Sequence, residues 1–112
     1  MSKTRGNDRE LGDIADTILF ENDRVRIWEL KMAPGTRGPA HEHNLDHILI
    51  QISGDRMAVQ PEPDTKGFYN EYEEADVEPG NHFYVEKGGI ESAVNIGNET
   101  YHEIIVELKD PE

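Results

Sequence analysis

The chain has 112 residues, with 11 Lys and Arg, 24 Asp and Glu, five His and no Cys, for a formal charge of −13. That length holds one compact domain, and so negative a surface is repelled by phosphate backbones and anionic lipid, so neither nucleic acid nor a membrane is an expected partner. Lack of cysteine removes disulfide frameworks, thiolate nucleophiles and Cys-type zinc sites. The first residues offer no apolar run after their charges, so no secretory signal is expected. No stretch approaches the roughly 18 apolar residues of a membrane span, and a cytoplasmic setting is expected.

In chain order, residues 1–15 are polar and without period, and read as a flexible N-terminal arm; residues 16–112 read as a single β domain. Thr17 to Glu21 forms a short strand, and the turn at Asn22 and Asp23 leads into a second from Arg24 to Met32. Residues 33–39 carry two prolines and two glycines and are loop. A third strand region runs from His41 through Ile52, and a fourth from Arg56 to Gln60. Beyond the loop at residues 61–67, strands are expected at Phe68 to Glu73, His82 to Val85, Ser92 to Ile96 and Tyr101 to Lys109. Dense β-branched runs such as Ile48 to Ile52 and Ile104 to Leu108 argue for buried strands rather than disorder. Eight or more short strands with Gly, Pro and Asn turns and no helical stretch indicate an all-β barrel or sandwich. The acidic run Glu71, Glu73, Glu74, Asp76 and Glu78 reads as a solvated strand edge, where charge discourages edge pairing.

The chemistry concentrates in His41, His43 and His47, three of the five histidines within seven residues. In a strand, residues two apart share a face, so these three imidazoles, with Leu49 and Gln51, have one parity. Imidazoles converging on one side of a sheet suit a first-row transition metal; the same spacing also fits surface histidines. His82 and His102 read as hydrogen-bonded or solvent-facing.

The segment from Gly35 to Gly54 resembles the first signature of the cupin superfamily, G-x5-H-x-H-x3-4-E-x6-G, with Gly35, His41, His43 and Gly54 in place. His47 stands where that signature has glutamate. Residues 80–95 resemble the second signature, G-x5-P-x-G-x2-H-x3-N, through Gly80, Gly88 and Asn95; Glu86 replaces the proline and Glu91 the metal-binding histidine. The two motifs and their strands cover roughly residues 17 to 109. The resemblance implies a small cupin with a double-stranded β-helix, or jelly-roll barrel, and a metal site deep inside it. It also implies that His47 and Glu91 have exchanged types, so that His41, His43, His47 and Glu91 still supply three imidazoles and one carboxylate. The alternative is a hydrogen bond between His47 and Glu91 with no metal.

Such a donor set suits Fe(II), Mn(II), Ni(II), Co(II) or Zn(II). Gln51 and Asn95 share parity with His47 and Glu91, respectively, and are candidates for orienting ligands or substrate. Arg37, in the loop leading to His41, is a candidate for meeting a substrate carboxylate, while Arg24 and Arg26 read as surface cations. Tyr84 and Trp28 read as cavity lining or as packing. The resemblance implies a divalent-metal-dependent enzyme, a dioxygenase, isomerase or lyase, acting on a small oxygen-rich carboxylate or carbonyl metabolite. The alternative is a non-catalytic metal or small-ligand binding or sensor module. The chain is also loosely similar to short cupins linked with β-alanine degradation. Small cupins further imply a homodimer.

Overall fold

The computed structural model of the chain describes residues 3–4 and 10–109. Its described strands are β1 (Lys3–Thr4), β2 (Glu10–Leu11), β3 (Thr17–Glu21), β4 (Val25–Met32), β5 (His41–Glu42) and β6 (His47–Ser53). They continue with β7 (Arg56–Pro61), β8 (Glu73–Asp76), β9 (His82–Val85), β10 (Ile90–Asn95) and β11 (Tyr101–Leu108). The described residues contain no helix, as the turn-rich sequence predicts.

Every named strand pairing is antiparallel. A five-stranded sheet runs β3-β4-β11-β6-β9 and a four-stranded sheet runs β5-β10-β7-β8; β1 and β2 form a separate pair. The two larger sheets face each other, which is the jelly-roll solution for short strands that must bury one face. Ile90, from the smaller sheet, and Ile105, from the larger, are almost wholly buried. Each such burial contributes roughly 1.5–3 kcal/mol. Met32, Val77 and Tyr101 pack a cluster at one end, with Leu30, Met57 and Ala93 against it. Gly54 approaches that cluster with φ +147°, where an added Cβ would lie 2.9 Å from the Tyr101 ring; only glycine fits this turn.

Three differences from the sequence reading bear on the site. The strand expected from His41 to Ile52 is broken into β5 and β6, because residues 43–46 leave the ladder. Asp46 holds that break: its carboxylate accepts hydrogen bonds from the Lys87 backbone N–H at 2.9 Å and the Tyr84 hydroxyl at 3.0 Å. The strand expected at Phe68 to Glu73 instead begins at Glu73, and Phe68 is left 80% exposed. Part of the expected N-terminal arm, residues 11–14, packs against the barrel. Leu11 and Ile14 are buried, and Gly12 donates its N–H to the Ala40 carbonyl at 2.8 Å, so apolar burial docks this segment beside His41. The rest of that expectation, at residues 1–2 and 5–9, lies outside the described residues.

Candidate metal centre

The site begins with strand register. Glu91 of β10 is the direct partner of His41 of β5, which places their side chains side by side on the sheet. His43 follows from the loop, locked to the next turn by two backbone bonds: its N–H to the Gly89 carbonyl at 2.8 Å, and the Gly88 N–H to its own carbonyl at 2.9 Å. Gly88 has φ +117° and sits against the Lys66 carbonyl, a conformation that side chains avoid. The two bonds set the His43 ring against Glu91, with Nε2 3.4 Å from Oε2.

His41, His43 and Glu91 each offer a donor atom within 4.8 Å of the others, wide enough to admit an ion and narrow enough for small side-chain rotations to close on it. His47 is drawn in differently. Its ring stacks on His43, centroids 4.0 Å apart and planes 17° from parallel, while His41 meets His43 edge-on at 4.8 Å. Shared parity of the three histidines needs one continuous strand; the break at residues 43–46 is why His47 stands behind His43 rather than in line with it.

The hydrogen bonds set the imidazoles up as donors to a cation. His41 Nδ1 lies 3.1 Å from the Pro39 carbonyl and His47 Nδ1 lies 3.1 Å from the Leu45 carbonyl. A carbonyl can only accept, so both rings carry their proton on Nδ1 and keep a lone pair on Nε2. Burial, reinforced by the charge of His43, lowers the pKa of each ring to about 4, so both are neutral at neutral pH. Burial alone would raise the Glu91 carboxyl, but the His43 hydrogen bond and the neighbouring imidazoles outweigh it and hold the group below its ordinary value. Among the described residues, His43 Nδ1 is the one buried side-chain polar atom without a partner. An orphaned nitrogen beside neutral imidazoles and an ionised carboxylate is chemically suited to a divalent transition metal.

The cluster opens into a cavity of about 270 Å³. Gln51 lines it, as the sequence reading expects, and donates from Nε2 to the Tyr101 hydroxyl at 3.3 Å. Asn95 does not. Its Nδ2 donates to the Met32 and Glu99 carbonyls, both at 2.9 Å, and its Oδ1 accepts the Gly97 N–H at 3.0 Å, so the amide is spent on holding the β10–β11 turn. Arg37 is exposed and borders an outer groove that reaches His41 from the other side. Trp28 and Arg26 both donate to Glu107 Oε1 at 2.7 Å, and Tyr84 is 61% exposed, so none of the three lines the cavity. His102 pairs with Glu29 at 2.8 Å on the outer face of the sheet, and His82 is exposed with Nδ1 against the Gly80 carbonyl.

Tyr101 and Glu103 were missed from sequence. Both are buried on the cavity wall, with the Tyr101 hydroxyl donating to Glu103 Oε1. Burial pushes the Glu103 carboxyl up to about 7, against the opposing pull of that hydrogen bond and of His43, and it raises the Tyr101 phenol as well. The available signal was the alternation Tyr101, Glu103, Ile105, Glu107, a polar-rich set on one face of β11.

No protein-family model matches the chain. One curated relative, auxin-binding protein T85 of Nicotiana tabacum, is 20% identical over 98 residues; the match covers 88% of this chain but 52%, about half, of that protein's length. Solved structures are closer in shape. A cupin domain from Bordetella pertussis superposes with a TM-score of 0.71 at 17% identity, covering 84% of this chain and 91% of that one. An RmlC-like cupin with a double-stranded β-helix fold from Methanocaldococcus jannaschii gives 0.67 at 20% identity, covering 99% and 91%. A Cupin 2 conserved barrel domain protein from Salinispora arenicola gives 0.58 at 16% identity, covering 89% and 75%. The chain therefore has the fold of a small cupin, an all-β double-stranded β-helix.

Proposed function

We propose that the barrel binds one divalent transition metal, Fe, Mn, Ni, Co or Zn, through His41, His43 and Glu91, with His47 as a fourth donor, and presents it to a small oxygen-rich ligand. The observation that carries this reading is the convergence of two neutral or orphaned imidazoles and one ionised carboxylate at the floor of a mostly apolar cavity. A metal held there supplies Lewis acidity toward a carbonyl or carboxylate and lowers the pKa of bound water. The chain's own residues hold Glu91 ionised, keep the His41 and His47 imidazoles neutral and narrow the space to ligands below drug size. The relative from tobacco is named as an auxin-binding protein, and a small-ligand pocket is in keeping with that name. Within this reading the chain is an enzyme acting on a small carboxylate or carbonyl compound.

The setting we infer is a cytoplasmic homodimer. No described segment is a helix long and apolar enough to cross a membrane. The outer face of the larger sheet supports self-association, because register lines up Phe20, Ile27, Val106, Ile48 and Tyr84 in one row across five strands.

Metal analysis of protein purified without added metal tests the site: about one transition metal per chain is expected, and none would remove the reading. Oxygen uptake and product analysis with small carboxylates and diketones then test the activity. Turnover that disappears in His41→Ala is expected, whereas binding without turnover would make the chain a binding module.

A further inference from the structure

The cavity has a second polar pole that the metal reading does not use. Glu103 lies on its wall and is only 8% exposed. Its Oε1 accepts the Tyr101 hydroxyl, and the Tyr101 oxygen accepts Gln51 Nε2 at 3.3 Å. Gln51 is fixed in turn, its Oε1 accepting the Glu78 N–H at 3.3 Å and Asn81 Nδ2 at 3.4 Å. The network thus holds Glu103 from one side. Its other oxygen, Oε2, has no hydrogen bond to a described residue. With Oε1 taken by Tyr101, Oε2 is the oxygen left for a ligand in the cavity that Glu103 lines. Leu49, Phe83 and Ile105 add apolar wall to the same cavity.

Charge decides what fits between the poles. Among the described residues the cavity wall has no Lys or Arg, and Glu73 and Glu74 from β8 add acid to it. The groups bearing on Glu103 are Tyr101 on its own strand, Gln51 on β6, and the more distant charges of His43 and Glu91; its partner on β4 is Leu30. At the metal itself, a divalent ion beside ionised Glu91 would leave one net positive charge, which one anionic group on a ligand neutralises; Glu73 and Glu74 are exposed to solvent. A second carboxylate would be buried beside Glu103 with no cation to meet it, at the cost of desolvating a like-charged neighbour.

We propose that Glu103, positioned by Tyr101, is the recognition group for the far end of the ligand, and that it selects a small monocarboxylate with an uncharged hydrogen-bonding tail over the corresponding dicarboxylate. This rests on the metal reading above: the ligand's carboxylate takes the metal and its tail takes Glu103 Oε2.

The test uses the full chain loaded with cobalt(II), with succinamate and succinate as probes. They share a carboxylate head and differ in an amide or carboxylate tail. Binding is read by calorimetry and by the cobalt visible spectrum. Wild type is expected to bind succinamate about tenfold or more tightly than succinate. Glu103→Gln, which stays neutral and keeps its hydrogen bonds, is expected to take up cobalt as wild type does and to shrink that preference to roughly threefold or less. Glu103→Met is expected to keep cobalt but lose succinamate affinity about tenfold. An unchanged preference in Glu103→Gln, or no preference in wild type, overturns the proposal while leaving the metal reading standing. Failure of wild type to take up cobalt overturns both.

Discussion

His41 and Glu91 are direct register partners across β5 and β10, so the histidine of one motif and the carboxylate of the other are neighbours through the backbone ladder itself. His43 then approaches the same carboxylate to 3.4 Å. The first prediction follows from this placement. Glu91→Gln keeps the shape of the side chain and removes its charge, and His43→Ala removes a donor. Each is expected to weaken zinc or cobalt binding by at least the roughly 10–100-fold that loss of a metal's supporting partner costs. Competition with a chromophoric chelator measures this. Unchanged affinity in Glu91→Gln would show that the carboxylate is no ligand.

His47 tests the fourth position separately. Its ring stacks on His43 at 4.0 Å, so alanine would remove both a nitrogen and a packing surface. His47→Phe retains an aromatic face and removes only the donor. A fall in metal affinity of about tenfold is expected, with the thermal midpoint of the metal-free protein within a few degrees of wild type. Affinity equal to wild type would make His47 a buttress for His43 alone.

Most strands and the turns between them were legible because Gly, Pro and Asn mark chain reversals locally, whereas the break at residues 43–46 and the start of β8 at Glu73 were not. The pairing of Glu91 with the histidine cluster was legible through two spaced motifs. What was not legible is which face of a strand points inward. On β11 the apolar residues Ile104, Val106 and Leu108 are only half-buried, while Tyr101, Glu103 and Glu107 are buried. Period-two reasoning assigns the apolar set to the core, and here it assigns the wrong face. The barrel interior carries the polar chemistry, and the outer sheet keeps an apolar surface. Asn95 illustrates a second limit, since parity with Glu91 does not reveal that its amide is already consumed by a turn.

That outer apolar surface predicts an oligomer. Phe20 is 51% exposed and Tyr84 61%, at opposite ends of a row whose middle is Ile27, Val106 and Ile48. A self-complementary sheet face of this kind suits a two-fold dimer. Sedimentation at micromolar concentration is expected to show a dimer, and Val106→Glu with Ile48→Lys is expected to shift it to monomer. A wild-type monomer at that concentration rules the dimer out.

Gly89 predicts a fault in the site that leaves the fold intact. A Cβ added there would lie 3.1 Å from Glu91 Oε1 and 3.8 Å from the His43 ring, crowding the end of a flexible carboxylate rather than backbone. Gly89→Ala is therefore expected to lower metal affinity several-fold while costing no more than about 1 kcal/mol of stability. Chemical denaturation and metal titration of the same preparation separate the two effects. An equal loss in both would assign the glycine to folding.

The buried titratable groups predict a stability profile with two limbs. His41 and His47 have folded pKa values of about 4 against about 6.5 unfolded, so between those values the unfolded chain binds more protons. Their contribution is full above about pH 6.5 and is lost as pH falls toward 4. Glu103 runs the other way. Its folded pKa of about 7 exceeds an ordinary glutamate's, so its contribution is present in acid and is lost as pH rises through 7. Metal-free protein is therefore expected to be most stable near pH 6. Glu103→Gln, which cannot ionise, is expected to remove the alkaline limb alone, gaining on the order of 2 kcal/mol relative to wild type between pH 5 and pH 8.5. Thermal or urea unfolding across that range measures it. An alkaline limb that survives unchanged in Glu103→Gln would mean that the carboxyl ionises in the folded chain without cost, and that its burial does not set its charge.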